Sequence, residues 1–147
     1  AAMAEANLEV PPEWMPEGDF SYRRGLELGK QLLDVPKRKR PTAIFACNDE
    51  MATGILAVTH GLGLKVPQDV SVAGFDDTAM ATAVWPQLTT IHQPLTDMAR
   101  AAVTMLDDIL KTTPHTAEHD GVVRHFVAPY KLMKRDSTGP VSKTAAG

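Results

Sequence analysis

With 147 residues, 44% apolar and 22% charged, the chain can build one domain with a substantial core and has an ordinary globular make-up. A net charge of −3 and a pI near 5.9 give it no overall electrostatic reason to bind nucleic acid. Its single cysteine, Cys47, rules out an intramolecular disulfide and a cysteine-built zinc site, and fits a reducing cytoplasm.

Residues 1–6 are helix formers and read as the end of a helix cut at its front, with Asn7 as a left-handed cap. They lack the basic start and apolar centre of a signal peptide. Val10-Pro11-Pro12 reads as a linker, and Trp14 to Phe20 as a short strand running into a turn at Gly18-Asp19. Ser21 can cap a helix over 22–34, where Gly25, Leu28, Gly29, Leu32 and Leu33 share one face. A basic loop, Lys37 to Arg40, lies between two prolines and reads as a solvated turn. Ala43 to Cys47 is wholly apolar, as a buried parallel strand is, so Cys47 is expected to be buried and inert.

Asn48-Asp49 then caps a helix over 49–60 that Gly61 and Gly63 stop. Val70 to Phe75 is a second buried strand, and Leu88 to His92 a third. The uncharged run from Thr78 to Thr96 contains Pro86 and Pro94 and is no membrane span. Residues 96–111 form an amphipathic helix with a stripe of Met98, Ala102, Met105, Leu106 and Ile109. Val122 to Leu132 reads as a last strand, and Ser137 to Gly147 as a flexible polar tail.

Strands alternating with helices predict an α/β fold, a parallel sheet flanked by helices. Ligands of such sheets sit beyond the carboxyl ends of the strands. Those ends carry Asp19-Phe20, Asn48-Asp49, Asp76-Asp77 and Gln93. An aromatic ring with amides and carboxylates suits a neutral polyhydroxyl or heterocyclic ligand. Each residue has a plainer reading: Asp76 as a turn residue, Asn48 and Asp49 as helix caps, Phe20 as a core aromatic. His115, His119 and His125 lack the spacing and partners of a metal or catalytic site, and neither a metal nor a cofactor is expected.

Three stretches carry a resemblance. Pro41 to Gly54 (PTAIFACNDEMATG), Gly63 to Asp77 (GLKVPQDVSVAGFDD) and Pro86 to Pro94 (PQLTTIHQP) resemble, in order and spacing, the signatures of LacI/GalR-type transcription regulators. The likeness runs from Ala1 to about Asp136. It implies the C-terminal lobe of a periplasmic-binding-protein-like fold, with the helix-turn-helix and most of the N-terminal lobe outside these residues. Residues 1–93 and about 121–136 would be C-lobe, and the helix at 96–111 would belong to the N-lobe. The family's pocket arginine, in an Arg-x-x-Gly motif, has no counterpart here.

Carried over by position, the resemblance implies effector contacts at Phe20, Asn48 and Asp76, and a branch-dependent one at Gln93. It implies a small-molecule effector, a carbohydrate or nucleobase-like compound. DNA would be contacted only through the headpiece, and a cytoplasmic homodimer would form with no membrane association. For the dimer interface the expected residues are Met51, Ile55, Met80, Val84 and Trp85. The uncharged, apolar loop from Ala79 to Pro86 supports this independently, because loops lie at the surface; Trp85 could instead fold inward to seal the sheet. The alternative to a regulator is the periplasmic sugar-binding protein of a transporter, which shares the fold. A doubly wound enzyme is disfavoured, since no phosphate loop or nucleophile–base pair stands out.

Overall fold

Local signals set the two main helices. The Ser21 hydroxyl accepts from the Arg24 amide at 3.1 Å and starts α2 (Tyr22–Leu33). Asn48 does the same for α3 (Asp49–Gly61), accepting from the Met51 amide at 2.9 Å. Beyond α3, Gly63 takes φ +68, the left-handed conformation that a chain reversal after a helix favours. The computed structural model describes residues 2–112 and 125–141.

These residues fall into two units, 2–91 with 132–141, and 92–112 with 125–131. The first unit opens with α1 (Ala2–Glu5), followed by Asn7 at φ 54. Its sheet is parallel: β1 (Ala43–Phe45) pairs with β2 (Ser71–Ala73) in the register Ala43↔Ser71, Ile44↔Val72, Phe45↔Ala73. Ala73 forms a parallel bridge with Thr89, and the Gly74 and Asp76 amides donate to the Thr89 and Ile91 carbonyls, both at 2.9 Å. The third strand therefore follows β2 as expected. Its regular part, β3 (Thr90–His92), also forms a two-stranded ladder with β4 (Lys131–Met133).

Helices α2 and α3 pack backbone to backbone. A Cβ on Gly25 would sit 2.3 Å from the Met51 carbonyl oxygen, and one on Gly54 2.5 Å from that of Tyr22. Only glycine allows this approach. Leu28, Leu32, Leu33, Ala52, Ile55, Leu56, Val70, Val72 and Leu88 fill the core beneath. In the second unit the amphipathic helix, α5, runs Leu95–Thr112.

Several expectations need correction. Residues 14–20 form no strand: a 3-10 turn spans Pro12–Trp14, and an irregular segment follows. A strand needs a ladder partner, and this segment has none among the described residues. β1 is not buried on both faces. Ile44 and Ala46 face the core, whereas Ala43, Phe45 (62% exposed) and Cys47 alternate outward. The last strand shrinks to Lys131–Met133, with Val122 to Arg124 outside the described residues.

The polar tail does not begin at Ser137, which is fully buried. Its hydroxyl donates to the Val72 carbonyl (2.6 Å) and accepts from the Thr89 amide (2.8 Å). It thus satisfies polar groups of two neighbouring strand segments, which a buried site requires.

Candidate functional site

The parallel register fixes the site's frame. Asn48 follows Phe45 by three residues, as Asp76 follows Ala73, and those two strand residues are partners. Both side chains therefore stand at the carboxyl edge of the sheet in the first unit. Phe20 joins them, because the Asn48 Nδ2 donates to its carbonyl at 2.8 Å. One amide thus caps α3 and tethers a loop 28 residues upstream. Phe20 holds φ +66 and is 61% exposed.

The loop beside it is built from polar contacts. The Asp19 carboxylate accepts from the Ser21 hydroxyl (2.7 Å) and amide (2.9 Å). Those bonds, the hydroxyl's first, hold its pKa below the ordinary carboxylate value, with a smaller contribution from the Arg24 charge. Arg24 also donates twice to the Glu17 carbonyl, at 3.1 and 2.9 Å.

Asp76 and Asp77 both have left-handed backbones, φ 112 and 57. Non-glycine residues in such regions cost of order 1–3 kcal/mol each and persist where surroundings over-determine them. The surroundings here do so. Asp49, fully buried on the first turn of α3, accepts at one carboxylate oxygen from the Thr78 amide (2.7 Å) and hydroxyl (3.1 Å), and at the other from the Thr90 hydroxyl (2.6 Å). From the far end of the chain, Arg135 reaches Asp77 Oδ1 at 2.6 Å and the Leu88 carbonyl at 2.9 Å, the ion pair being 14% exposed on each side.

An apolar cleft of about 300 Å³ opens beside Phe20, between the 14–20 segment and β1, with Trp14, Met15, Phe45, Cys47 and Met51 among its walls. Neither Asn48 nor Asp76 lines it, and its walls carry no carboxylate or amide side chain for a hydroxyl-rich ligand. Gln93 belongs to the second unit, beyond β3, and is partly buried there.

Of the residues expected at a dimer interface, Met51 and Ile55 are corrected to core positions, 6% and 2% exposed. Close approach of α2 at Gly25 and Gly29 covers that side of α3. Met80 and Val84 are partly buried around α4 (Met80–Ala83), Val84 against the core, while Trp85 does not fold inward and is 76% exposed.

Sequence reasoning missed three residues that hold the edge together. Asp49 reads as a cap, but Asn48 is the cap and Asp49 the buried acceptor. Arg135 and Ser137 sit where composition suggests the start of a loose tail. His115 and His119 lie outside the described residues, and His125 is exposed. Among the described residues no group of three or more His, Cys, Asp or Glu could hold a metal, and no helix is long and apolar enough to cross a membrane.

Residues 1–138 match the family model described as a periplasmic binding protein-like domain. The HTH-type transcriptional repressor PurR of Serratia proteamaculans is 46% identical over 107 residues, covering 73% of this chain and 31% of that protein. The same-named repressor of Aliivibrio fischeri is 40% identical over 114 residues, covering 78% and 34%. The chain thus spans about a third of the length of these relatives. A LacI-family regulatory protein from Chloroflexus aggregans superposes with a TM-score of 0.79 at 29% identity, over 94% of this chain and 47% of that one. A LacI-family transcriptional regulator from Lactobacillus casei with bound sucrose superposes at 0.74 and 31% identity, over 92% and 47%. The chain belongs to the periplasmic binding protein-like domain family, in the form that this domain takes in LacI/GalR-type transcription regulators.

Proposed function

We propose that this chain is the effector-sensing part of a DNA-binding transcription regulator and binds its ligand without turning it over. The observation that carries this reading is the parallel register, which puts Asn48 and Asp76 at one carboxyl edge with Phe20 tethered beside them. An exposed ring can stack on sugar C–H groups, and a carboxylate with an amide can fix a pair of hydroxyls. The effector is a carbohydrate or a related small molecule; the sugar-bound regulator from Lactobacillus casei supports that class. DNA contact belongs to a headpiece outside these residues, and the regulator works in the cytoplasm.

Ligand shifts the equilibrium between two lobe poses by as much free energy as its affinities for them differ. The regulator is a two-fold dimer, with Met80, Val84 and Trp85 in the interface; the exposed Trp85 supports this, since a large bare aromatic is a frequent contact anchor. Isothermal titration of the intact regulator with sucrose, D-glucose and a free nucleobase tests the reading. Saturable binding of one of them, weakened by changes at the edge, is expected. A ligand that binds with equal affinity to Phe20→Ala, Asn48→Ala and Asp76→Ala variants would overturn it.

A further inference from the structure

We propose that Arg135 and Asp49 are positioning residues for Asp76, clamping from two sides the left-handed turn that presents its carboxylate; this rests on the reading of Asp76 as a ligand contact. The turn from Asp76 to Thr78 has no glycine, yet two consecutive residues are left-handed. Such a backbone relaxes unless it is held from outside. The holding bonds come from three distant parts of the chain. Arg135 grips the Asp77 side chain and the Leu88 carbonyl with two guanidinium nitrogens. Asp49 takes both the amide and the hydroxyl of Thr78 on one oxygen. Thr90 links the two halves, donating to Asp49 at 2.6 Å and lying 3.4 Å from the Asp77 amide.

Arg135 is itself fixed in place. Its amide donates to the Thr89 hydroxyl at 2.9 Å, and Ser137, two residues on, is locked between the strand segments. The guanidinium therefore reaches the turn from a rigid base. Its planar fork holds the two acceptors with two separate nitrogens in a fixed geometry, whereas an ammonium group offers one rotatable nitrogen. The same Arg135 to Ser137 segment that follows β4 thus sets the shape of the turn after β2. A change in how that segment sits would reach Asp76 through its neighbour Asp77, which Arg135 holds directly.

The test is backbone NMR on the full chain, comparing wild type with Arg135→Gln, Arg135→Lys and Thr78→Ala. In Arg135→Gln, the Cα shifts of Asp76 and Asp77 should leave their left-handed values, and Thr78 amide exchange should quicken tenfold or more. The α2 and α3 resonances should stay at wild-type positions. Arg135→Lys should fall between the two, and Thr78→Ala should move the same turn resonances from the Asp49 side. The exposed Thr78 makes that last variant safe to fold. A role in stability alone would lower protection throughout the first unit and leave the turn shifts of the folded state unchanged, which would overturn the proposal. Unchanged Asp76 and Asp77 shifts in the two folded variants Arg135→Lys and Thr78→Ala would also overturn it. These readouts need no ligand, so they separate failure of the clamp from failure of the ligand reading.

Discussion

The Asn48 side chain donates to the Phe20 carbonyl at 2.8 Å while its oxygen caps α3 at 2.9 Å from the Met51 amide. The start of α3 and the loop before α2 are thus one unit, although they lie 28 residues apart. Phe20 has a left-handed backbone and is 61% exposed, and its carbonyl is held by this bond while the Asp19–Ser21 contacts bracket it. A helix cap thus helps to hold an aromatic at the sheet edge.

That arrangement separates two effects at Asn48. Asn48→Asp keeps an oxygen for the cap but removes the donor to Phe20. Asn48→Ala removes both. Loss of the cap alone costs about 1 kcal/mol. We expect Asn48→Ala to lose about 1–2 kcal/mol in urea unfolding, with the loop bond adding to the cap. Asn48→Asp should lose less, yet shift the Phe20 ring resonances as far as Asn48→Ala does. Identical Phe20 spectra in wild type and both variants would refute the tether.

Close helix packing gives a second expectation. Gly54→Ala drives a methyl to 2.5 Å from the Tyr22 carbonyl, so α2 and α3 must move apart. Overpacking of this kind costs about 1–3 kcal/mol. Gly61, at the end of the same helix, has nothing within 4 Å of its would-be Cβ. Gly61→Ala should be neutral or stabilise by up to about 1 kcal/mol. Thermal unfolding of the pair checks this, and equal melting temperatures would show that the helices do not meet at Gly54.

Trp85 bears on assembly. A tryptophan that is 76% exposed beside partly buried Met80 and Val84 is an apolar anchor without a cover of its own. Light scattering should find wild-type chains associating and Trp85→Asp monomeric, with matching circular dichroism. A wild type that stays monomeric at high concentration would remove this loop from any interface.

How legible all this is in the sequence depends on range. Ser21, Asn48 and Gly63 act within a few residues, so both long helices of the first unit can be read with their ends. The carboxyl-edge clustering of Asn48 and Asp76 follows from strand alternation alone, since parallel strands put like ends together. Pairing is less legible. Residues 14–20 and 125–130 look extended, yet among the described residues no partner makes them strands. An apolar run such as Ala43 to Cys47 does not reveal that one of its faces stays open.

The least legible residues are those whose partners lie far away. Asp49 meets Thr90 across 41 positions, Arg135 meets Asp77 across 58, and Ser137 meets Val72 across 65. Nothing near them marks the contact. Met51 and Ile55 show the same effect in reverse. Their place on an apolar helix face suits an interface or a core equally, and Gly25 and Gly29 on another helix decide for the core.

The most direct measurement is isothermal titration of the intact regulator carrying Asp76→Ala, with whichever sugar or nucleobase the wild type binds. Removing a charged acceptor from a desolvated contact should weaken binding by about 2–4 kcal/mol, tens- to several-hundred-fold in Kd. The clamping bonds run through Asp49, Asp77 and Arg135, and matching circular dichroism checks that the variant keeps its fold. Wild-type affinity in a folded Asp76→Ala variant would contradict a ligand site at this edge.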